Sequence, residues 1–167
     1  YAQGRRRFAI ITPETSLASP NNKAKSTFDD FRTALENVGL PIRDEWVGLT
    51  PHPATPGAGW EETREIWIAN PKERPDALFV TDDVVFSNAS VALLEMGVDV
   101  PRELHVVTHM STGVNTHRFP FPISRYEIDL QAQANALVDM LQHILDGEPP
   151  DEPHLDLPAK LVMLEGR

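Results

Sequence analysis

The sequence predicts an α/β domain of three layers, with helices on both sides of a mostly parallel sheet. Three observations carry this. Short apolar runs of strand type alternate with segments of helical period nearly throughout the 167 residues. The stretch from Arg74 to Met110 reads as strand, helix, strand, and two buried strands joined by a helix form a parallel, right-handed crossover. The chain is 41% apolar and has no cysteine, so a packed core rather than a disulfide framework must hold it together.

The elements follow in order. Arg5-Arg6-Arg7 leads into Phe8–Ile11, a short buried strand, and the basic triplet is read as a solvated strand entry rather than a nucleic-acid contact. Thr12 to Lys25 is rich in Pro, Ser, Thr and Asn and forms a loop over the carboxyl end of that strand. Ser26 or Thr27 caps a helix with apolar positions Phe28, Phe31, Leu35 and Val38, stopped by Gly39. Ile42 to Leu49 is a strand candidate containing Trp46, and Thr50 to Gly59 is loop. Trp60 to Ala69 is a helix that packs through Thr63, Ile66, Trp67 and Ala69 and closes at Asn70-Pro71. The three tryptophans are read as core, with Trp60 the one placed to serve as a ligand platform.

Asp76 to Thr81 is a short apolar run after Pro75, long enough for a buried strand and too short for a helix. After it the period changes: Val85, Phe86, Ala89, Ala92, Leu93 and Met96 make one helical stripe, with Asp83 at the N-cap position. Gly97 supplies the left-handed residue that ends the helix, and Pro101 bars its continuation. Leu104 to Thr108 is the next strand, Ser111 to Pro122 a long connection, and Ile123 to Ile128 extended. Asp129 caps a helix with a stripe at Ala134, Leu137, Val138, Leu141, Ile144 and Leu145, ended by Gly147 and Pro149; Leu161 to Leu164 is the last strand.

Composition narrows the function. A formal charge of −10 opposes contact with a phosphate backbone, so this chain alone is not expected to bind DNA. No apolar run approaches the roughly 20 residues that span a bilayer, and no secretory segment opens the chain, which points to a cytoplasmic protein with no membrane partner. In parallel sheets ligands sit beyond the carboxyl ends of the strands, here Thr81-Asp82-Asp83 and Thr108-His109-Met110-Ser111. Asp82 and Asp83 could hold Mg²⁺ for phosphoryl transfer, but one of them is more economically a helix cap. His105 and His109 share a strand face at a separation too large for a clean two-ligand metal site, and each is read as structural. No G-x-S-x-G elbow, Walker A segment or G-x-G-x-x-G run is present, and no cofactor is expected.

With these residues in place, the chain resembles the effector-binding domain of LacI-type (lactose-repressor-like) transcription regulators, of the periplasmic-binding-protein type. Gly4-Arg5-Arg6-Arg7-Phe8-Ala9-Ile10-Ile11 is similar to the G-x-R-R-I-A-F-I segment that begins the second subdomain. Phe31-Arg32-Thr33-Ala34-Leu35 through Gly39-Leu40 is similar to the G-F-R-x-A-L…G-L helix, and Arg74 to Asp83 to R-P-D-A-I-F-x-x-N-D. Gly97 to Val107 resembles G-x-x-V-P-x-D-I-x-V-V, and Ser124-Arg125-Tyr126 falls at the T-x-R-Q-P crossover.

The resemblance implies one lobe of a type I periplasmic-binding-protein-like fold and a non-catalytic, small-molecule sensing role. Residues 1–127 and 147–167 would form the second subdomain, and 128–146 a crossover helix belonging to a first subdomain outside this sequence. It implies ligand contacts from Thr12, Glu14, Asn21 and Lys23 in the first loop, from Thr27, Thr81, Asp82, His109 and Met110, and from Arg125 and Tyr126 at the crossover. Three positions depart from the family's pattern: Thr27 stands where its ligand-gripping Arg falls, Asp82 where an Asn falls, and Met110 where the Asp of V-V-G-F-D falls. Loss of an Arg and an Asp with gain of an acid implies an effector other than a plain hexose in the usual pose. A ligand with a hydrogen-bond donor or positive charge facing Asp82 fits, among sugar-like, amino or nucleoside-like compounds. DNA would be reached only through a separate domain, and the stripe on 129–146 implies a homodimer. Two other readings stand beside this one: an Mg²⁺-dependent phosphotransfer or hydrolase domain using Asp82 and Asp83, and a solute-binding transport protein.

Overall fold

A computed structural model describes residues 4–14, 27–112, 119–148, 155 and 157–163. Five strands run parallel: β1 (Phe8–Pro13), β2 (Val47–Thr50), β3 (Ala77–Val80), β4 (His105–Thr112) and β5 (Ser124–Asp129). A sixth, β6 (Lys160–Val162), pairs antiparallel with β5, giving the order β2-β1-β3-β4-β5-β6. The helices are α1 (Thr27–Asn37), α2 (Trp60–Ala69), α3 (Asp83–Glu95) and α4 (Leu130–Leu145). In this order the chain leaves β1 to one side for β2 and returns past it to β3, which places a topological switch point between β1 and β3.

Strand alternation sorts the core. Ala9 and Ile11 of β1, Leu78 and Val80 of β3 and Val106 of β4 point to one face and meet Ile66 and Trp67 of α2 and Val85, Phe86, Ala89 and Leu93 of α3. Each large side chain fully withdrawn from water here stabilises the fold by roughly 1.5–3 kcal/mol. Ile10, Phe79 and Val107 point to the other face, where Phe31 of α1 stacks on Phe79 at 6.4 Å between ring centroids. Gly59, just before α2, makes the tightest approach among the described glycines: at φ +90, a Cβ there would lie 2.2 Å from the Val85 carbonyl oxygen.

The helix ends are set locally. At α3 the Val98 amide reaches back to the Leu93 carbonyl and the Gly97 amide to Leu94, the left-handed turn the sequence predicts at Gly97. The basic triplet is structural: Arg5 donates to the Pro101 and Glu103 carbonyls, and the Arg6 and Arg7 amides donate to Asp76 Oδ1 at 3.0 and 2.9 Å.

Four expectations are corrected. The N-cap of α3 is Asp82, not Asp83: β3 ends at Val80, Asp82 holds extended backbone, and its Oδ1 accepts from the Val84 and Val85 amides. The strand expected from Ile42 begins only at Val47, because Asp44–Trp46 forms a 3-10 turn that swings Trp46 into the core. Val38 and Ala69, expected to pack, are exposed, since each lies at or beyond the last turn of its helix. The last strand is Lys160–Val162; Leu164 lies outside the described residues.

Helix α4 stands apart. Asp129 caps it as the sequence predicts, with Oδ1 accepting from the Gln131 and Ala132 amides. None of its residues is buried, and its apolar stripe faces solvent, Leu137 at 62% and Leu145 at 75% exposure.

Candidate functional site

The carboxyl ends of β1, β3, β4 and β5 form one rim. Val80 is in register with Thr108, so one residue further on Thr81 stands alongside His109 at the same end of the sheet. Ile11 is in register with Val80, which brings Thr12 beside Thr81; the Thr81 hydroxyl donates to Thr12 Oγ1 at 2.9 Å, and the Thr81 amide donates to the Ile11 carbonyl. His109 is in register with Tyr126 on β5. Strand alternation therefore puts Thr12, Thr81, His109 and Tyr126 in a single polar row on one face, crossing the switch point.

The row is open to solvent at one end and closed at the other. Thr12 is fully buried, whereas Tyr126 is 42% exposed. Between them, His109 Nε2 is shut off from water and has no hydrogen-bond partner among the described residues. Buried polar atoms of this kind usually find a partner, so an orphan at a strand end marks a place where a donor or acceptor from outside the chain would be welcome.

Met110 and Arg125 are on the other face. Met110 is buried opposite Glu127, and Arg125, level with Thr108, pairs with Glu127 at 2.9 Å between Nε and Oε1. Asp82 lies just beyond Thr81 with Oδ1 engaged by the α3 amides, so Oδ2 is the oxygen outside the cap. Glu14 follows the end of β1 and Thr27 opens α1; both are exposed. Asn21 and Lys23 lie outside the described residues. Among the described residues, the predicted ones thus divide into a polar row of four, a cap at Asp82, two exposed positions at Glu14 and Thr27, and Met110 with Arg125 on the opposite face.

Sequence reasoning passed over Thr50, fully buried at the end of β2 with no partner for its Oγ1 among the described residues. A signal was available: Thr12, Thr50, Thr81 and Thr108 each stand at or just after the end of an apolar run. It also passed over Glu127, whose pairing with Arg125 depends on strand alternation. The two strand histidines separate in role. His105 is buried with Nε2 3.0 Å from Ser124 Oγ, and burial, assisted by the charge of Arg5, pushes its pKa below the usual histidine range. Trp60 is held rather than presented: its Nε1 donates to Glu95 and Arg64 covers its ring at 4.6 Å. With Oδ1 of Asp82 committed to the cap, and no cluster of three or more His, Asp or Glu among the described residues, the donor set for a Mg²⁺ centre is not assembled here.

A parallel sheet with helices on both faces and a polar rim at its switch point defines a ligand-binding α/β lobe rather than any one chemistry. The family is narrower. The family model of the periplasmic binding protein-like domain matches residues 1–163, and the chain belongs to that family. Its structure is similar to a regulatory protein of the LacI family from Chloroflexus aggregans, at a TM-score of 0.78 and 20% identity, covering 97% of this chain and 55% of that one. It is similar also to a LacI regulator from Lactobacillus casei with bound Tris, at a TM-score of 0.77 and 22% identity, covering 97% and 55%. In sequence it is 30% identical over 94 residues to the HTH-type transcriptional repressor PurR of Yersinia pestis, covering 54% of this chain and 26% of the repressor. The chain thus spans about half the length of the solved regulators it matches. No helix among the described residues is long and apolar enough to cross a membrane.

Proposed function

We propose that this chain is the second lobe of the small-molecule sensor of a transcription regulator, and that it is not a catalyst. The observation that carries this reading is the polar row Thr12–Thr81–His109–Tyr126 at the switch point, with a buried nitrogen in its middle that has no partner among the described residues. Family membership and the likeness to LacI-type regulators support it. Residues 1–127 and 147–167 form the lobe, and 128–146 leaves it to pack on a first lobe. Effector would be gripped between the lobes by the row, by Asp82 Oδ2, and by Glu14, Asn21, Lys23 and Thr27 approaching from the first loop and α1. Met110 and Arg125, with its partner Glu127, border the site from the far face. Closure would shift the balance between two lobe arrangements and so the affinity for DNA of a separate domain.

The ligand carries a hydrogen-bond donor or a positive charge for Asp82. The protein works in the cytoplasm as a homodimer, and in this chain alone, where α4 has no first lobe to cover it, its stripe packs on a second copy. A thermal-shift screen of sugars, nucleosides and amino compounds against the full-length protein tests this. Amine-bearing or donor-rich compounds should stabilise it, and Asp82→Asn should remove the effect. Stabilisation by neutral hexoses alone, equal in Asp82→Asn, would overturn the ligand assignment. Tight Mg²⁺ binding abolished by Asp82→Asn would instead favour the phosphotransfer reading.

A further inference from the structure

The opposite end of the sheet holds a cavity of about 540 Å³, beside the start of β1 and the turn between α2 and β3. Its charge runs against that of the chain. The sequence has 25 acidic and 15 basic residues, yet five of the fifteen, Arg5, Arg7, Lys72, Arg74 and Arg102, line this one cavity. The two acids among them are already engaged. Asp76 accepts the Arg6 and Arg7 amides on Oδ1 and faces the Arg7 guanidinium with Oδ2 at 3.5 Å. Glu103 Oε2 accepts the Asp99 amide at 3.0 Å.

The cations are less well compensated. Among the described residues Arg5 donates only to neutral carbonyls, those of Pro101 and Glu103. Arg74 sits over the Trp67 ring with Cζ 4.6 Å from its centroid, and its Nε donates to the Trp67 carbonyl at 3.1 Å. That contact fixes the guanidinium without neutralising it. Lys72 forms no ion pair among the described residues, and Arg102 reaches Asp99 only at 4.0 Å. The same field is felt underneath, where Arg5 adds to the burial that disfavours a proton on His105.

We propose that this cavity is a second small-molecule site, for a ligand bearing a phosphate group, at the far end of the strands from the effector rim. A planar guanidinium held at Nε and over a ring offers its two remaining nitrogens as donors to a phosphate, and adjacent cations favour a dianion over a single carboxylate. The volume lies in the range of sites for small organic ligands, so a phosphorylated sugar or a mononucleotide fits as well as inorganic phosphate.

The test is a calorimetric titration of the chain with pyrophosphate, with a hexose phosphate and with the parent hexose, in about 0.15 M salt. Either phosphate compound should bind saturably and the hexose should not; the two phosphate arms separate an inorganic ligand from an organic ester. Lys72→Glu combined with Arg102→Glu should weaken binding at least tenfold. Both side chains are exposed, so the melting temperature should hold. Phosphate binding that is absent at this salt, or that survives both substitutions undiminished, overturns the site. So does equal binding of the bare hexose.

Discussion

Thr81 donates its hydroxyl proton to Thr12 across the switch point, at 2.9 Å between oxygens, and joins strands 69 residues apart in sequence. The pair sits at the buried end of the polar row, so its two members respond differently to removal singly and together. Thr81→Val leaves the Thr12 hydroxyl buried without that donor and should cost about 1–3 kcal/mol. Thr12→Val with Thr81→Val removes both polar groups and should be closer to the parent than the single change. Urea denaturation of Thr12→Val, Thr81→Val and the double variant checks this; a double variant as unstable as the sum of the singles would show the bond to be unimportant.

Asp82 has two duties that substitution can separate. Asp82→Ala removes the α3 cap and should destabilise by roughly 0.5–2 kcal/mol. Asp82→Asn keeps an acceptor for the Val84 and Val85 amides, so it should hold most of the stability while losing recognition of a cationic ligand. Parallel melting and ligand titration of both variants distinguishes cap from contact.

Gly59→Ala should be severe. The added Cβ would press on the Val85 carbonyl, and the positive φ strains any L side chain, so a loss of about 2–4 kcal/mol is expected. A chemical-denaturation midpoint within error of the parent would mean that α2 and α3 do not pack as described.

Acid should weaken the fold through His105. Its folded pKa lies below the ordinary value of 6.5, so the folded state takes up a proton less readily than the unfolded chain. The stabilisation is present above pH 6.5 and is lost as pH falls from there towards the folded pKa. Comparing melting temperatures from pH 7.5 to 5 should show a shallower decline in His105→Gln than in the parent. Identical slopes would remove His105 from the account.

The stripe on α4 predicts self-association. Leu137→Glu with Leu141→Glu changes only exposed positions, so the lobe should still fold, with the parent's far-UV circular dichroism. The double change should abolish any dimer seen by sedimentation. Leaving such side chains wet forfeits roughly 1.5–3 kcal/mol each, and a parent chain that is strictly monomeric when dilute counts against the dimer.

How much of this was legible in sequence follows from the range of the forces involved. Helix α2 was read to its ends, and the caps and stops at Gly97 and Asp129 to the residue, because hydrophobic period and capping act within a few residues. The parallel β3–α3–β4 unit came from the same local signals. Capping by Asp82 instead of Asp83 escaped because two adjacent carboxylates are equivalent until the strand's end is known. Register is a property of pairs of strands, and only tertiary structure could place Thr12, Thr81, His109 and Tyr126 on one face and Met110 with Arg125 on the other. The basic cavity has the same origin: Arg5, Lys72 and Arg102 are distant along the chain, and their charges become one field only when the sheet sets the strand ends side by side.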